Sequence, residues 1–522
     1  MMTILSLLPI VSLLVCLIVV KFSVARSGAI SLGIALVIAI FFFGLPITGG
    51  LPIAVGKALW LALFVSLIVW FAIFLYHLVD DFKAIDVINK NLTIFVEDKF
   101  VSFLLLAWMF TGLLQGMAGF GVPAVIVTPI LIALGFNKVK SLAAALLGHS
   151  WAVTFGSLGA AFFVIQGITG VDYTELAHAM FIFNTVAHLL TGIGVCFIYD
   201  GFKGIKKGLS YVIPVSLIMT GVQWLVIFVI GAYPVAGLLP ALVGLLSLFL
   251  LYKLRSRGQA SGEKKTLYRS DKLSLLQASL PYLVIIVLAL AFQFVPASIN
   301  DRAAVYFDFG GFQTYVDAPH VIGSSITPHN VYSEYRFNPI RVFRHPAVLL
   351  LSAALTAILV YKSAGIWDGQ VFKGVFKKTV KKGIPATLAL LALGNMSLIM
   401  MDSGMTNHLA YATADLTGAI YPLFAPFIGV LGSFLTGNNT NANVLFGAFQ
   451  HTIALRLGVN DAIMTAVQSM TAGVAVSIGP TLILMGALAS DQKGVESTIL
   501  KKLLPLVLLI ALVMGIVNFI VI

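Results

Sequence analysis

The chain reads as long apolar runs separated by short charged clusters. No Asp, Glu, Lys or Arg occurs from Ser27 to Gly56, Phe100 to Asn137, Ser141 to Val171, Leu416 to Leu455 or Ala462 to Ser490. A helix needs about 20 apolar residues to cross the hydrocarbon core, so several of these runs hold more than one piece at membrane depth. Bilayer interiors accept helices because each satisfies its own backbone groups. The runs are rich in Leu, Ile and Ala and lack the ten-residue alternation of a membrane β-barrel. The pattern predicts helices near 4–20, 28–47, 55–77, 101–118, 141–166, 178–199, 209–231, 233–252, 274–295, 346–362, 384–402, 417–436, 462–489 and 503–521. Residues 119–134 and 438–456 are expected to be further pieces that enter the membrane.

Composition agrees and excludes other classes. Hydrophobic residues make up 60% of the chain and charged residues 10%, against about 25% charged in a soluble domain. The mean hydropathy is +1.03. A water-soluble globule and a disordered chain are both ruled out. Two cysteines, Cys16 and Cys196, rule out a disulfide scaffold. The first apolar run has no basic residue before it, while Lys21 and Arg26 follow it. A secretory signal has the reverse order, so a retained helix with its N-terminus outside is expected.

The formal charge of +12, from 32 basic and 20 acidic residues, calls for no nucleic acid. Lys and Arg collect in short cytoplasmic loops of membrane proteins. Three basic loops fit: Lys253 to Lys272, then Lys203 with Lys206 and Lys207, then Lys373, Lys377, Lys378, Lys381 and Lys382. A lipid-binding role for them is the alternative to topology alone. The expected organisation is a first transmembrane half at 1–255 and a basic cytoplasmic loop at 256–273. A second half follows at 274–522, including an extracytoplasmic segment at 296–345. The expected location is the cell membrane, crossed many times.

Shifting the chain by 323 residues sets Leu134-Gly135-Phe136-Asn137 on Leu457-Gly458-Val459-Asn460. It also sets Ala152-Val153-Thr154-Phe155-Gly156 on Ala475-Val476-Ser477-Ile478-Gly479, and seven of 26 positions from Leu134 to Gly159 are identical. By the charge pattern, the helix near 101 starts inside and that near 417 starts outside. The fold class expected is therefore an all-α polytopic membrane protein of about 12–14 transmembrane helices, in two inverted repeats with interrupted or re-entrant helices. That is the pattern of secondary transporters.

Each repeat carries an interruption. The first is Gln115-Gly116-Met117-Ala118-Gly119-Phe120-Gly121-Val122-Pro123. Glycine and proline break a helix there, and freed backbone groups survive in lipid only where they line a cavity or are covered. Freed N–H groups at the start of the next half-helix make a partly positive pocket for an anion. A glycine kink for tight helix packing is the other reading. The second is Thr436-Gly437-Asn438-Asn439-Thr440-Asn441-Ala442-Asn443, at the centre of an uncharged run. Unpaired amides in an apolar medium cost on the order of 2–7 kcal/mol each. Their carbonyls and hydroxyls can coordinate a small cation, and their N–H groups can hold a carboxylate. The shift places Gln115 on Asn438.

These residues resemble the L-lactate permease family of carboxylate transporters. The resemblance runs through Gly119 to Pro123, Leu134-Gly135-Phe136, Ala152 to Gly156, Thr169-Gly170-Val171-Asp172, Asp200 to Lys206 and Asp402-Ser403-Gly404-Met405. Its most specific part is Phe434 to Ala448. It implies uptake of lactate, glycolate and similar short 2-hydroxy monocarboxylates, usually coupled to protons. The family commonly has an acidic residue where this chain has Gln115, and Gly-Ser-Asp-Thr-Ser-Ser-Asn where it has Gly437 to Asn443, so its acidic position is Asn439 here. A lysine and a glutamine usual around Ser477 to Leu482 are absent.

Ionisable groups inside spans are functional candidates. His149 and His451 could carry a coupling proton, as could Asp402, and each could instead serve packing or a solvated helix end. His188 is expected to be structural, and Arg456, which could balance a substrate carboxylate, closes its run and is expected to face water. No zinc motif, phosphate loop or serine elbow is present, so no catalytic chemistry, metal or cofactor is expected. The expected substrate-binding set is Gln115, Gly119, Gly121, Ser150, Gly437, Asn438, Asn439, Thr440, Asn441 and Asn443. The expected partners are a small organic anion, a proton or alternatively sodium, and the bilayer. A sodium-coupled transporter of another anion, an anion channel and a membrane-embedded enzyme are the rival functions.

Overall fold

A computed structural model gives the fold and describes all residues except 95, 120, 257–272, 307–311, 317–328, 334–339 and 493. Phe120, most of the basic loop after Ser256 and much of 296–345 therefore lie outside the described residues. Among the described residues, twelve helices are long and apolar enough to cross a membrane, or up to thirteen with one bent pair. One of the twelve, Tyr173–Ile230, is itself two antiparallel arms. The chain reverses at Asp200 and Gly201 (φ 57°, ψ −142°), and Asn184 donates across the arms to Gln223 at 3.0 Å. The all-α expectation holds for the bundle. Outside it, Ala304–Val305 pairs with Ile340–Arg341, and Phe312–Val316 pairs with His329–Ser333, both antiparallel.

The helices that position the centre are numbered here in chain order. Helix α1 is Gly50–Asp81. Helix α2 covers 99–118, with a π-helical stretch at Leu105–Phe110. Helices α3, α4 and α5 are Val122–Ala133, Lys138–Gly148 and Gly156–Thr169, and α6 is the two-armed Tyr173–Trp224. Helices α7 and α8 are Pro346–Ser363 and Gly369–Asp402. Helices α9, α10, α11, α12 and α13 are Tyr421–Thr436, Asn439–Leu457, Asp461–Ala475, Pro480–Ala489 and Glu496–Val521.

Each repeat is a helical hairpin followed by a broken helix. In the first, α2 and α3 run antiparallel, since the Phe103 ring packs on Phe136 at 5.1 Å, while Gly119 and Gly121 lie at the tip. In the second, α9 and α10 do the same about Gly437, with Tyr421 OH donating to Gln450 Oε1 at 2.8 Å. The interruptions are thus reversals rather than breaks in a straight helix. Gly121 (φ 85°) and Gly437 (φ 77°) sit in the left-handed region, which costs an L side chain roughly 1–2 kcal/mol.

The broken helices were not legible as such. The predicted continuous helices 141–166 and 462–489 are each two pieces. The first, α4 then α5, breaks at 149–155, bends by 56° and winds left-handed at Ser157, Leu158 and Gly159. The second, α11 then α12, breaks at Val476–Ile478 and Gly479, where Pro480 starts α12. A second correction concerns Lys373 to Lys382. They lie within α8, not in a loop, because α8 extends well beyond its apolar half. Lys203, Lys206 and Lys207 likewise lie on the second arm of α6 rather than in a loop.

The 323 shift survives in the geometry. Gly135 and Gly458 both have positive φ. Asn137 caps α4 by accepting from Lys140 N–H, and Asn460 caps α11 by accepting from Ile463 N–H. Packing is exchanged between repeats: α12 lies on α3, and its counterpart α5 lies on α10. That exchange is what a two-fold relation between the repeats produces.

Basic residues gather at one end of the bundle. Lys378 pairs with Asp81 at 2.6 Å where α8 runs antiparallel to α1, Lys207 pairs with Asp98 at 3.1 Å, and Arg255 donates to Ser210. Lys140, in the first turn of α4, donates to Tyr199 O at the same end. Helix α12 heads that way too, because Gly486 lies against Leu142, so α13 starts there. Asn518, near the far end of α13, sits 3.8 Å from Met464 in the first turn of α11. Equivalent helices α4 and α11 therefore start at opposite ends, as inverted repeats require.

Candidate functional site

Two hairpin tips and two helix breaks meet at one place. The cavity between them is lined by Gln115 and Gly121 from the first tip and by Gly437, Asn438, Asn439 and Thr440 from the second. His149, Val153, Gly156 and Ser157 line it from the first break, Val476 and Leu482 from the second. Its volume is about 30 Å³, room for little more than a water molecule or two. The walls are close. A methyl on Gly156 would sit 2.6 Å from Gln115 Nε2 and 2.9 Å from its carbonyl oxygen, so only glycine lets the break lie against the tip.

Four helices, α3, α5, α10 and α12, begin at this cavity. Each N-terminus carries roughly half a positive charge and N–H groups without intrahelical acceptors. In α10, Asn438 Oδ1 accepts from Asn441 N–H at 2.7 Å, which leaves the N–H groups of Asn439 and Thr440 without an acceptor inside their helix. Helices α2, α4, α9 and α11 end there and bring carbonyl groups, partly negative. The centre thus offers donors for an anion beside acceptors for a cation, with no charged side chain among its lining residues.

The polar side chains are arranged around this. Asn439 Nδ2 donates to Thr154 Oγ1 at 3.1 Å, and Thr154 Oγ1 donates to Ser469 O at 3.0 Å. Asn439 Oδ1 is buried without a hydrogen-bond partner among the described residues. His149 is fully buried, with Nδ1 2.8 Å from Ala145 O. A carbonyl only accepts, so Nδ1 carries a proton. In the neutral ring Nε2 is then a bare acceptor, and it too has no partner among the described residues. A proton taken there would turn His149 into a donor.

The expected residues divide. Gln115, Gly121, His149, Gly437, Asn438, Asn439 and Thr440 are brought together on the cavity. Gly119 lies in the first tip, where an added Cβ would collide with Ser157 Oγ. Asn441 serves the cap. Asn443 is one turn deeper and donates to Ala161 O at 3.1 Å and Ser469 Oγ at 2.8 Å. Ser150 donates to Leu147 O at 2.7 Å. His451 lies twelve residues past Asn439, roughly 18 Å along the helix, with Nδ1 3.4 Å from Asp461. Asp402 pairs with Lys57 at 3.3 Å, both buried. Sequence reasoning passed over Thr154, Ser157, Ser469 and Lys57. The only signal for Lys57 was its place at the edge of a charge-free run.

A re-entrant bundle with four helix N-termini aimed at one uncharged polar centre suits a membrane transport protein, and its permease relatives are transporters, not enzymes. The family model for L-lactate permease matches residues 2–522; the chain belongs to that family. It is 28% identical to the glycolate permease GlcA of Escherichia coli strain K12 over 550 residues, covering 98% of this chain and 94% of the relative. It is 25% identical to the L-lactate permease of Bacillus subtilis strain 168, with the same coverage. Among solved structures, the Alcanivorax borkumensis YdaH transporter, described as having an unusual topology, aligns over 90% of this chain and 86% of its own. The TM-score is 0.47 and the identity 12%.

Proposed function

We propose that the chain is a secondary active transporter of small 2-hydroxy monocarboxylates such as L-lactate and glycolate, coupled to protons. It works by alternating access around the centre where the tips meet. The observation that carries this reading is the convergence of four helix N-termini on a cavity that also holds the unpartnered His149 Nε2 and Asn439 Oδ1. The N–H groups of Asn439 and Thr440 hold the carboxylate. Protonated His149 donates to it, and the proton and acid move together. The cavity is too small to hold a hydroxy acid freely, so the tips must part toward one side at a time. The relatives' printed names, glycolate permease and L-lactate permease, favour the same substrate class. By the positive-inside rule the basic end faces the cytoplasm, and the membrane is the cell membrane.

Sodium is the second reading. Asn439 Oδ1 and the carbonyl ends of α2 and α9 are hard oxygen acceptors, and the centre has no acidic side chain to carry a proton. Uptake into proteoliposomes separates these readings, with a panel of lactate, glycolate and other small anions and with proton and sodium gradients varied independently. Saturable lactate uptake that follows an inward proton gradient and ignores sodium is expected. Uptake that does not saturate and follows voltage alone would make the chain a channel and refute the transporter.

A further inference from the structure

We propose that the chain holds its hydroxy acid at a second site, a vestibule at the end opposite the basic residues, from which the acid passes an aromatic gate to the centre. This rests on the transport of a 2-hydroxy monocarboxylate proposed above. The vestibule is a cavity of about 420 Å³, within the roughly 300–1,000 Å³ of small-molecule sites. It is lined by Asp172 at the start of α6, by Arg341 just before α7, and by Phe64 and Phe163. Phe64 lies seventeen residues from Asp81 on α1, so the cavity reaches roughly 25 Å from the basic end.

Its two charges match the two groups of the substrate. Arg341 Nε is 3.5 Å from Asp301, and a guanidinium has further donors on its two Nη atoms, which suit a carboxylate. Asp172 Oδ1 accepts from Thr174 N–H at 2.8 Å and Glu175 N–H at 3.2 Å as the cap of α6. Oδ2 has no part in that cap and can accept from an α-hydroxyl. A 2-hydroxy acid carries a carboxylate for Arg341 and a hydroxyl proton for Asp172, whereas a 2-oxo acid has no proton to give Asp172. The vestibule is therefore a selective site as well as a collecting one.

Helix α5 contributes to the walls of both cavities. Ala160 lines the central cavity and Phe163 lines the vestibule. They are three residues apart on α5, roughly 4.5 Å of rise. The Phe163 and Phe64 rings both line the vestibule, 6.1 Å apart. The left-handed Gly159 gives the Phe163 ring its place, since a Cβ there would lie 3.2 Å from it. Rotation of these two side chains opens the path.

The test is uptake of lactate, glycolate and pyruvate by right-side-out vesicles, with binding of labelled lactate to the purified full chain beside it. Arg341→Gln is expected to raise KM for lactate at least tenfold with Vmax within twofold of wild type, and Arg341→Lys to recover part of that. Asp172→Asn keeps a capping oxygen and is expected to lower the preference for lactate over pyruvate at least fivefold. Purified Asn439→Ala is expected to retain one lactate site per chain, which Arg341→Gln added to it removes. An unchanged KM in Arg341→Gln, a fall in Vmax with KM unchanged, or an unchanged preference in Asp172→Asn would overturn the vestibule. Wild-type vesicles that fail to accumulate lactate would strike the transport reading instead, while the Asn439→Ala binding experiment would still decide the vestibule.

Discussion

Replacing Gly437 by alanine separates backbone strain from function. Gly437 has φ 77°, so an L side chain costs roughly 1–2 kcal/mol there. Its Cβ would also lie 3.3 Å from Thr481 Oγ1, so the start of α12 must yield by a few tenths of an ångström. Gly458 supplies the control. It has φ 68° and nothing within 4 Å of an added Cβ, and it lies at the outer turn between α10 and α11. Both variants carry the same left-handed backbone cost, and only Gly437→Ala adds a close contact and carries the strain into the centre. If the tip relieves the strain by moving, 1–2 kcal/mol lowers the population of the working geometry by a factor of about 5–30. Gly437→Ala should therefore lose roughly tenfold in initial lactate uptake, and Gly458→Ala should stay near wild type. Thermal denaturation in detergent should fall similarly for both. Gly437→Asn should lie between, because Asn tolerates the left-handed region. Equal losses of uptake in the two alanine variants, or none in Gly437→Ala, would refute the reasoning.

Other consequences can be read the same way. Asn443→Ala removes two hydrogen bonds and leaves Ala161 O without that donor, so stability should drop by about 1–3 kcal/mol, seen as a lower denaturation temperature. Asp402→Ala leaves the Lys57 charge buried alone and should cost about 3–5 kcal/mol, while Lys57→Met with Asp402→Leu should recover most of it. Loss of transport in that recovered pair, against retention, distinguishes a coupling role for Asp402 from a packing role. His149→Asn should abolish accumulation driven by a proton gradient yet keep lactate exchange between the two sides. Accumulation that persists in His149→Asn would move the proton elsewhere.

Much of this was written in the hydrophobic pattern. The charge-free runs marked the spans, and the 323 shift found two repeats that share caps, glycine turns and packing partners. The tips were legible because Gly-rich and Asn-rich stretches at membrane depth have few structural uses. Their reversal was not, since a glycine's φ sign is set by what it packs against, here α12. The breaks at 149–155 and 476–479 were hidden because Ser150, Trp151, Ala152 and Val153 are apolar enough to continue a helix. Only Gly479-Pro480 gave a local hint. Pairings between distant helices, such as Lys57 with Asp402 and Asn439 with Thr154, depend on tertiary packing and leave no local trace. That is also why both His149 and His451 stood as proton candidates in sequence, although of the two His149 alone reaches the cavity.

The most direct test of whether the solute binds where the tips meet is protection of a cysteine at Ala160. This side chain lines the central cavity, and both native cysteines can be replaced by alanine to leave Ala160→Cys alone. The rate of its modification by a small methanethiosulfonate reagent is measured in vesicles over a range of L-lactate concentrations. Lactate should slow the reaction, half-maximally near the concentration that half-saturates uptake, and an anion that is not transported should leave it unchanged. A modification rate independent of lactate, in vesicles that still take lactate up, would contradict a site at the tips.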